Sequence, residues 1–465
     1  MGKAGQALKQ VLELYNIRQS QLAKMLGVER PIVFRWFHER IDPTAETVAA
    51  IVQVLKEINP SASQKFVQVY LGDVAGIQLN MNNLQLPNSE KVNVAALSQI
   101  FSSTTNSYKY LFFLSLLDIL KREKFKTFTS ITFENIIIEM LANAWYSHSY
   151  SKLSFGIQDQ IADRLDSLQL EITEPILKFT DPDKSSLRRL IQQNNLKQII
   201  AHFKKNVPFR LIRPFLVEKL REFDVSNEVV EKTPRIATEY FEIYKPLYRF
   251  NATNFKDSSE ILLHPDWIKY LQENYAIVRG WASWEWLNYM QKRNPNIPNL
   301  VNKLFMPQKR DSLAKPIKYW KAVLKHQDID CIYSQTKLDL ESISLDHYLP
   351  WSFVAHDQPW NLIPTTRSVN SAKSNNLPAS QYFEKFVRLQ HIGLTVSAQH
   401  FSRSKWLKEV ESFITDLRID DPDNLLDFNF LLKSYENTVK PLIALAENQG
   451  FVANWLYTSK NQMIG

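Results

Sequence analysis

The chain has 465 residues, of which 45% are hydrophobic, and this length suits two to four domains. Its 56 basic and 48 acidic side chains give a net charge of +8, which suits an anionic partner such as nucleic acid but does not require such a partner. Only ten glycines are present, and their positions allow neither GxGxxG nor GxxxxGK followed by Ser or Thr, which excludes those dinucleotide- and phosphate-binding loops. A single cysteine, Cys331, excludes an intrachain disulfide and a CxxC zinc knuckle.

The first residues and the longest apolar run predict where the protein resides. The first ten residues lack the apolar segment of a signal peptide. The run from Tyr110 to Leu120 is interrupted by Ser115 and Asp118 and is too short to span a bilayer. With its lone cysteine, we expect a cytoplasmic protein that has no membrane partner.

Residues 1–72 predict a compact helical unit. Two helices joined by a tight turn need a small residue where they cross, a glycine at the left-handed turn and apolar residues that anchor the second helix. The sequence supplies these in order, as Ala23, Gly27, Val33 and Trp36. The inner side of the helix that begins at Gln19 is completed by Leu22, Met25 and Leu26. A further helix is predicted from Thr44 to Ile58, with its inward side formed by Ala49, Val52 and Leu55. The segment resembles the lambda-repressor-like, Cro-type helix-turn-helix family.

That resemblance implies a recognition helix from Glu29 to His38 and DNA as a partner. Its outward side chains would be Arg30, Phe34, Arg35 and His38. Arginine can bind guanine through two hydrogen bonds, and a helix N-terminus can lie against phosphate. Glu29 and Glu39 would repel phosphate, so a helical module that binds another protein is the alternative interpretation.

Residues 73–92 are rich in Asn and predict a linker, and residues 93–310 predict a long helical middle region. The middle region matches no motif, which leaves open a protein or RNA partner bound through it. Its aromatic cluster of Trp281, Trp284 and Trp286 favours packing in a core over stacking on bases.

A basic helix is predicted at residues 312–326, after a segment with three prolines. One side carries Lys318, Lys321 and Lys325. The other side carries Leu313, Ile317, Trp320 and Leu324. The apolar side would pack on the following segment, and the lysines would either follow a DNA backbone or be solvated.

Residues 329–347 predict a β-hairpin, with strands at Asp330–Tyr333 and at the segment ending in His347, and a short helix is predicted at 366–376. These elements carry an ordered set of polar residues: Asp346, His347, Asn361, Asn370 and Lys373. In order and spacing the set resembles the HNH (ββα-metal) endonuclease family. The spacing is especially similar to that in RNA-guided type II CRISPR effectors.

The resemblance implies hydrolysis of a phosphodiester bond. His347 would take a proton from water, because neutral imidazole is a good base near pH 7. Asp346 and Asn370 would bind Mg²⁺, with Mn²⁺ as the alternative ion. Asn361 would orient the His347 segment through hydrogen bonds, and Lys373 would hold a phosphate oxygen. Since Cys331 is alone, no structural zinc is expected.

Together these patterns predict a multidomain, mainly α-helical chain. Its predicted segments are a helix-turn-helix domain (1–72), a linker (73–92), a helical middle region (93–310), an α+β HNH nuclease domain (311–380) and a helical C-terminal region (381–465). We expect a metal-dependent DNA endonuclease with a role in prokaryotic defence against foreign DNA. One such site cuts one strand, so double-strand cleavage would need a homodimer or two successive events.

Three other functions stay open at this stage. A homing or mobile-element endonuclease would use the same chemistry on one rare sequence. A nuclease subunit of an RNA-guided complex would copurify with RNA. A DNA-binding regulator with an inactive HNH scaffold would bind an operator and cleave nothing.

Overall fold

The computed structural model describes residues 3–15, 17–38, 41, 43–72, 86–126, 130–172, 184–221, 223, 226–305 and 312–458. The chain separates into two compact units, Met1–Leu86 and Pro87–Gly465. Most of the predicted linker, residues 73–85, lies outside the described residues.

The described part of the N-terminal unit is helical, as predicted. Its helices are α1 Lys3–Leu14, α2 Gln19–Leu26, α3 Arg30–Phe37, α4 Ala45–Ile58 and α5 Pro60–Gly72. Gly27 ends α2 with a left-handed φ of 68°, a conformation that glycine adopts without strain. The Thr44 side chain accepts a hydrogen bond from the Thr47 backbone N–H and so caps α4. Val33 and Trp36 of α3 are buried in the core of this unit, as predicted.

Two predicted inward positions face solvent instead. Met25 is 41% exposed, because it lies roughly 110° around α2 from the buried side set by Leu22 and Ala23. Ala49 is also exposed. The buried positions of α4 are Val48, Ile51 and Leu55. The predicted inward side of α4 was therefore wrong at Ala49.

The middle region is mainly helical in its described residues. The helices are α6 Val94–Ser98, α7 Tyr108–Arg122, α8 Phe133–Trp145, α9 Ile161–Asp166, α10 Ser185–Gln192, α11 Lys197–Lys204, α12 Val207–Leu211, α13 Val217–Leu220, α14 Ser226–Glu239, α15 Phe241–Tyr244, α16 Pro265–Glu273, α17 Tyr275–Arg293 and α18 Leu300–Leu304. Trp281 and Trp286 are buried, as the packing interpretation expects, whereas Trp284 is 53% exposed.

A small antiparallel sheet also lies in the middle region and was not predicted. Its strands are β1 Ser130–Thr132, β2 Tyr248–Phe250 and β3 Glu260–Leu263, in the order β1-β3-β2. Ser130 pairs with Leu262, and Tyr248 pairs with Leu263. Three or four residues are too few for strand periodicity to be distinguished from a loop in the sequence.

The segment with the HNH-like residues forms a ββα unit that follows a basic helix. Its elements are α19 Ala314–Leu324, β4 Ser344–His347, α20 Trp351–Val354, β5 Leu362–Thr365 and α21 Arg367–Lys373. The apolar side of α19 packs into the core of this unit, as predicted.

The predicted hairpin at 329–347 is wrong in its pairing. β4 pairs antiparallel with β5, so that Asp346 lies opposite Ile363, whereas Asp330 forms only a single bridge with Lys337. β5 is hard to predict because Pro364 has no backbone N–H to donate to a neighbouring strand. All four residues of β5 are buried, and packing therefore specifies this strand.

The C-terminal region is helical, as predicted, and completes the core around the ββα unit. Its long helices are α22 Phe383–His400, α23 Arg403–Asp416 and α24 Phe428–Asn448. Tyr348, directly after β4, stacks on Phe386 of α22 with ring centroids 4.0 Å apart. The Tyr435 hydroxyl of α24 donates to the Trp360 carbonyl, just before β5 (2.9 Å). Residues on both sides of position 380 thus share one hydrophobic core.

None of the helices within the described ranges combines the length and the apolar character that a membrane crossing needs.

Lys303 of α18 gives a stability prediction. It is fully buried, its Nζ has no hydrogen-bond partner among the described residues, and burial lowers the pKa of this amine to about 7. The unfolded chain therefore binds more protons than the folded chain between pH 7 and the ordinary lysine pKa near 10.4. The destabilisation caused by burying Lys303 therefore decreases as pH rises through this range. We expect Lys303→Met to be more stable than wild type below pH 7 and to lose this advantage by about pH 10. Urea unfolding of both proteins at pH 6, 8 and 10 measures this; an equal difference at all three would contradict it.

Candidate active site

Asp346 and His347 are neighbours at the end of β4, and they meet different partners. Asp346 contacts Tyr333 and Lys373, whereas His347 contacts Asp357 in the loop between α20 and β5. Successive residues of a regular strand point to opposite faces, which accounts for the separation. The two side chains therefore approach the same strand end from different sides.

The Asp346 carboxylate is buried, with 2% of the residue exposed. Its Oδ1 accepts a hydrogen bond from Lys373 Nζ at 2.9 Å, and its Oδ2 accepts one from the Tyr333 hydroxyl at 2.7 Å. Lys373 Nζ also donates to the His347 carbonyl at 2.6 Å. Burial among these groups, with the negative Asp346 beside it, raises the pKa of the Tyr333 hydroxyl well above its ordinary value, so Tyr333 remains a donor.

Asn370 lies one turn before Lys373 on α21, and both side chains reach β4, as their spacing predicts. The Asn370 amide nitrogen donates to Ser344 Oγ at 3.0 Å and to the Leu345 carbonyl at 2.9 Å. Both amide hydrogens are thereby used, which leaves Oδ1 without a partner among the described residues. The amide oxygen of Asn370 is available as a ligand.

The donors at this site fit a hard divalent cation in kind. Asp346 supplies carboxylate oxygens, each of which keeps a lone pair after its hydrogen bond, and Asn370 supplies a neutral amide oxygen. Within the described residues, no group of three or more His, Cys, Asp and Glu side chains could hold a metal ion. An ion here would be held by Asp346, Asn370, water and the substrate phosphate. Lys373 would compete with the ion for the Asp346 carboxylate.

His347 is held by one ring nitrogen. Its Nε2 lies 2.6 Å from Asp357 Oδ1, and the two side chains are 12% and 17% exposed. An ionised carboxylate only accepts hydrogen bonds, so Nε2 carries the proton and donates. The other nitrogen, Nδ1, then has a lone pair and no hydrogen-bond partner in the described part of the chain.

Asn361 fixes the backbone that follows His347. Its Oδ1 accepts from the Leu349 N–H at 2.8 Å, and its Nδ2 donates to the Leu349 carbonyl at 2.9 Å. The residue is fully buried at the start of β5. This geometry suits the orienting role predicted for Asn361 and places its side chain on backbone atoms.

The loop that carries Asp357 is itself anchored. Ala355 ends α20 with a left-handed φ of 53°. Burial lowers the pKa of the neighbouring His356 to about 4, so His356 is neutral at pH 7. The Trp360 indole N–H donates to Asp416 Oδ2 of α23 at 2.6 Å. Contacts with the C-terminal helices thus position the loop from which Asp357 reaches His347.

Sequence reasoning gave no role to Tyr333 or Ser344 and did not connect Asp357 with His347. Tyr333 and Asp357 meet the motif residues only through the fold, across turns whose lengths carry no periodic signal. The predicted phosphate contact of Lys373 stays a prediction, because its ammonium group is fully buried beside Asp346.

The predicted DNA-binding side chains lie on two helices. Arg30, Phe34 and Arg35 of α3 are exposed, as predicted for its outward side, and so is His38 directly after the helix. Lys318 of α19 and Lys325 directly after it are exposed, whereas Lys321 is half-buried and lies 3.6 Å from Glu341. Their contacts with DNA stay predictions.

Comparison with protein families agrees with both motifs. A family described as HNH endonuclease matches residues 331–379, and a family described as helix-turn-helix matches residues 8–61. No curated protein and no solved structure gives a significant match to the chain. The chain therefore carries an HNH endonuclease domain at 331–379 and a Cro-type helix-turn-helix at 8–61.

Proposed function

We propose that this protein is a divalent-metal-dependent DNA endonuclease whose active site is the ββα unit of β4, β5 and α21. One observation carries the proposal: His347 is held at Nε2 by Asp357, its Nδ1 has no hydrogen-bond partner among the described residues, and the preceding residue of β4 is the buried carboxylate Asp346. A base and a metal ligand at neighbouring positions are what hydrolysis of a phosphodiester needs.

In this mechanism His347 Nδ1 takes the proton of the attacking water. Asp357 keeps the other ring proton on Nε2 and stabilises the imidazolium that forms, as a carboxylate does for histidine in hydrolytic triads. Asn361 holds the backbone of residue 349, so the ring is carried by a fixed strand end. Asp357 and Asn361 are thus positioning residues for His347.

Asp346 and Asn370 would hold the divalent ion, Mg²⁺ or Mn²⁺. When bound, the ion neutralises charge on the phosphate and on the departing oxygen. Lys373 holds Asp346 in its orientation while no ion is bound, and it supplies a second positive charge within reach of the same carboxylate.

DNA is the proposed substrate because the chain combines the nuclease domain with a helix-turn-helix. The helix that would enter the major groove is α3, where Arg30, Phe34 and Arg35 are exposed and His38 follows at its end, also exposed. Lys318 and Lys325 would add contacts to the phosphate backbone.

The test is cleavage by the purified full-length protein. Supercoiled plasmid, single-stranded DNA and single-stranded RNA are incubated with Mg²⁺, with Mn²⁺ or with EDTA. We expect nicking of DNA with either ion and none with EDTA. Cleavage of RNA alone, or cleavage that persists in EDTA, would contradict the proposal.

The biological role we assign is prokaryotic defence against foreign DNA. It depends on the combination of a DNA-reading domain with a nuclease. Plating of a broad phage panel on cells with and without the protein tests it, with His347→Ala as the matched inactive form. Equal plating on all three strains would contradict this role and leave the nuclease proposal standing.

A further inference from the structure

A second site lies in the helical middle region. A cavity of about 600 Å³ opens between the end of α7, strand β1 and the first turns of α8 and α10. Four of its lining side chains are basic: Arg122, Lys126, Arg188 and Arg189. Its apolar lining is formed by Ile119, Ile131 and Ile138. None of these residues belongs to the HNH domain at 331–379.

A buried carboxylate organises two of the arginines. Glu139 of α8 is 2% exposed, and it binds Arg122 Nη1 at 2.9 Å and Arg188 Nη1 at 3.3 Å. Each guanidinium has five N–H donors, so both arginines keep several for another partner. Glu139 thus fixes two guanidinium groups at the wall of the cavity and leaves several of their N–H donors for a ligand.

Positive charge is in excess at this cavity. Among the described residues, the four basic side chains are accompanied by three carboxylates: Glu123, which lies 3.2 Å from Lys126, the buried Glu139, and Glu260, which accepts a hydrogen bond from the lining residue Ser130. Arg189 is exposed and has no ion-pair partner among the described residues. Clustered like charges repel, and an anion in the cavity would relieve that repulsion.

We propose that this cavity binds a nucleotide through its phosphate groups. Planar guanidinium groups bind phosphate oxygens through paired hydrogen bonds, and here two of them are held in place. The three isoleucines are each 5% exposed or less, so they offer the base or the sugar a small apolar area. The volume lies in the range of small-molecule sites, about 300–1,000 Å³. A nucleotide fits this mixture better than a nucleic-acid backbone, which needs no apolar lining.

Calorimetric titration of the full-length protein tests the proposal. The probes are ATP, GTP, CTP, UTP and inorganic phosphate, each added to wild type, Arg189→Gln and Arg221→Gln. Both arginines are exposed, so neither substitution endangers folding. Arg221 does not line the cavity, which makes it the control for loss of one positive charge.

We expect at least one nucleoside triphosphate to bind, and Arg189→Gln to weaken that binding by about tenfold or more. Arg221→Gln should bind as wild type does. Absence of binding by folded wild type, or equal weakening in both variants, would overturn the proposal. A 12-nucleotide single strand is the last probe; if Arg189→Gln weakens its binding and no nucleotide binds, the surface contacts nucleic acid and the proposal fails.

Discussion

Replacing His347 by alanine is expected to lower the rate constant of metal-dependent DNA cleavage by about 10²- to 10⁴-fold, the usual contribution of a general base. His347 is the histidine of the motif, and its Nδ1 has no partner among the described residues to compete with water. His356 cannot replace it, because burial keeps that ring from protonating at neutral pH and lowers its pKa to about 4. The rate constant is measured on supercoiled plasmid with enzyme in excess.

The matched control is His326→Ala. His326 is exposed and stacks on His400, with ring centroids 3.6 Å apart, outside the ββα unit. It should cleave plasmid at the wild-type rate. If both alanine variants retain full activity and fold normally, His347 is not the base and the assignment of this site fails.

Lys373→Met is expected to destabilise the folded chain by about 3–5 kcal/mol, because it leaves the Asp346 carboxylate buried without its cation. The Lys373 side chain is 0% exposed and the Asp346 side chain 2%. The double variant Asp346→Leu with Lys373→Met removes both charges and should recover most of the loss. Urea unfolding gives the three free energies of unfolding.

Lys440→Met is the control for this prediction. Lys440 pairs with Glu436 at 2.8 Å on the surface of α24, with 55% of the lysine side chain exposed. Its loss should change stability by about 0.5 kcal/mol or less. Added Mg²⁺ should stabilise Lys373→Met more than it stabilises wild type, since the ion then meets an unpaired carboxylate. An equal effect of Mg²⁺ on both proteins would argue against Asp346 as its ligand.

The sequence predicted those parts of the fold that have local signals. Spacing placed Asn370 and Lys373 on one side of a short helix, and both indeed reach β4. Gly27 marked the turn of the helix-turn-helix, and its left-handed φ is the reason that glycine suits that position. Helical periodicity predicted that the C-terminal region is helical, because its helices are long enough to show the pattern.

What the sequence could not predict depends on contacts between distant segments. β5 contains Pro364, which argues against a strand until its burial is known. Asp357 lies in a loop, and its approach to His347 is set by packing of that loop on α23. Arg122 and Arg188 meet only because Glu139 of α8 lies between α7 and α10. No periodic pattern links residues brought together in this way.

The tautomer of His347 decides whether Nδ1 is able to act as the base. Long-range ¹H–¹⁵N correlation spectra of ¹⁵N-histidine-labelled protein distinguish the two neutral tautomers, and the His347 signal is assigned by its absence from His347→Ala. We predict the Nε2–H tautomer in wild type at neutral pH, and a mixture of tautomers in Asp357→Ala, where the carboxylate acceptor is gone. A proton on Nδ1 of wild-type His347 would contradict the account, because that nitrogen could not then accept the proton of water.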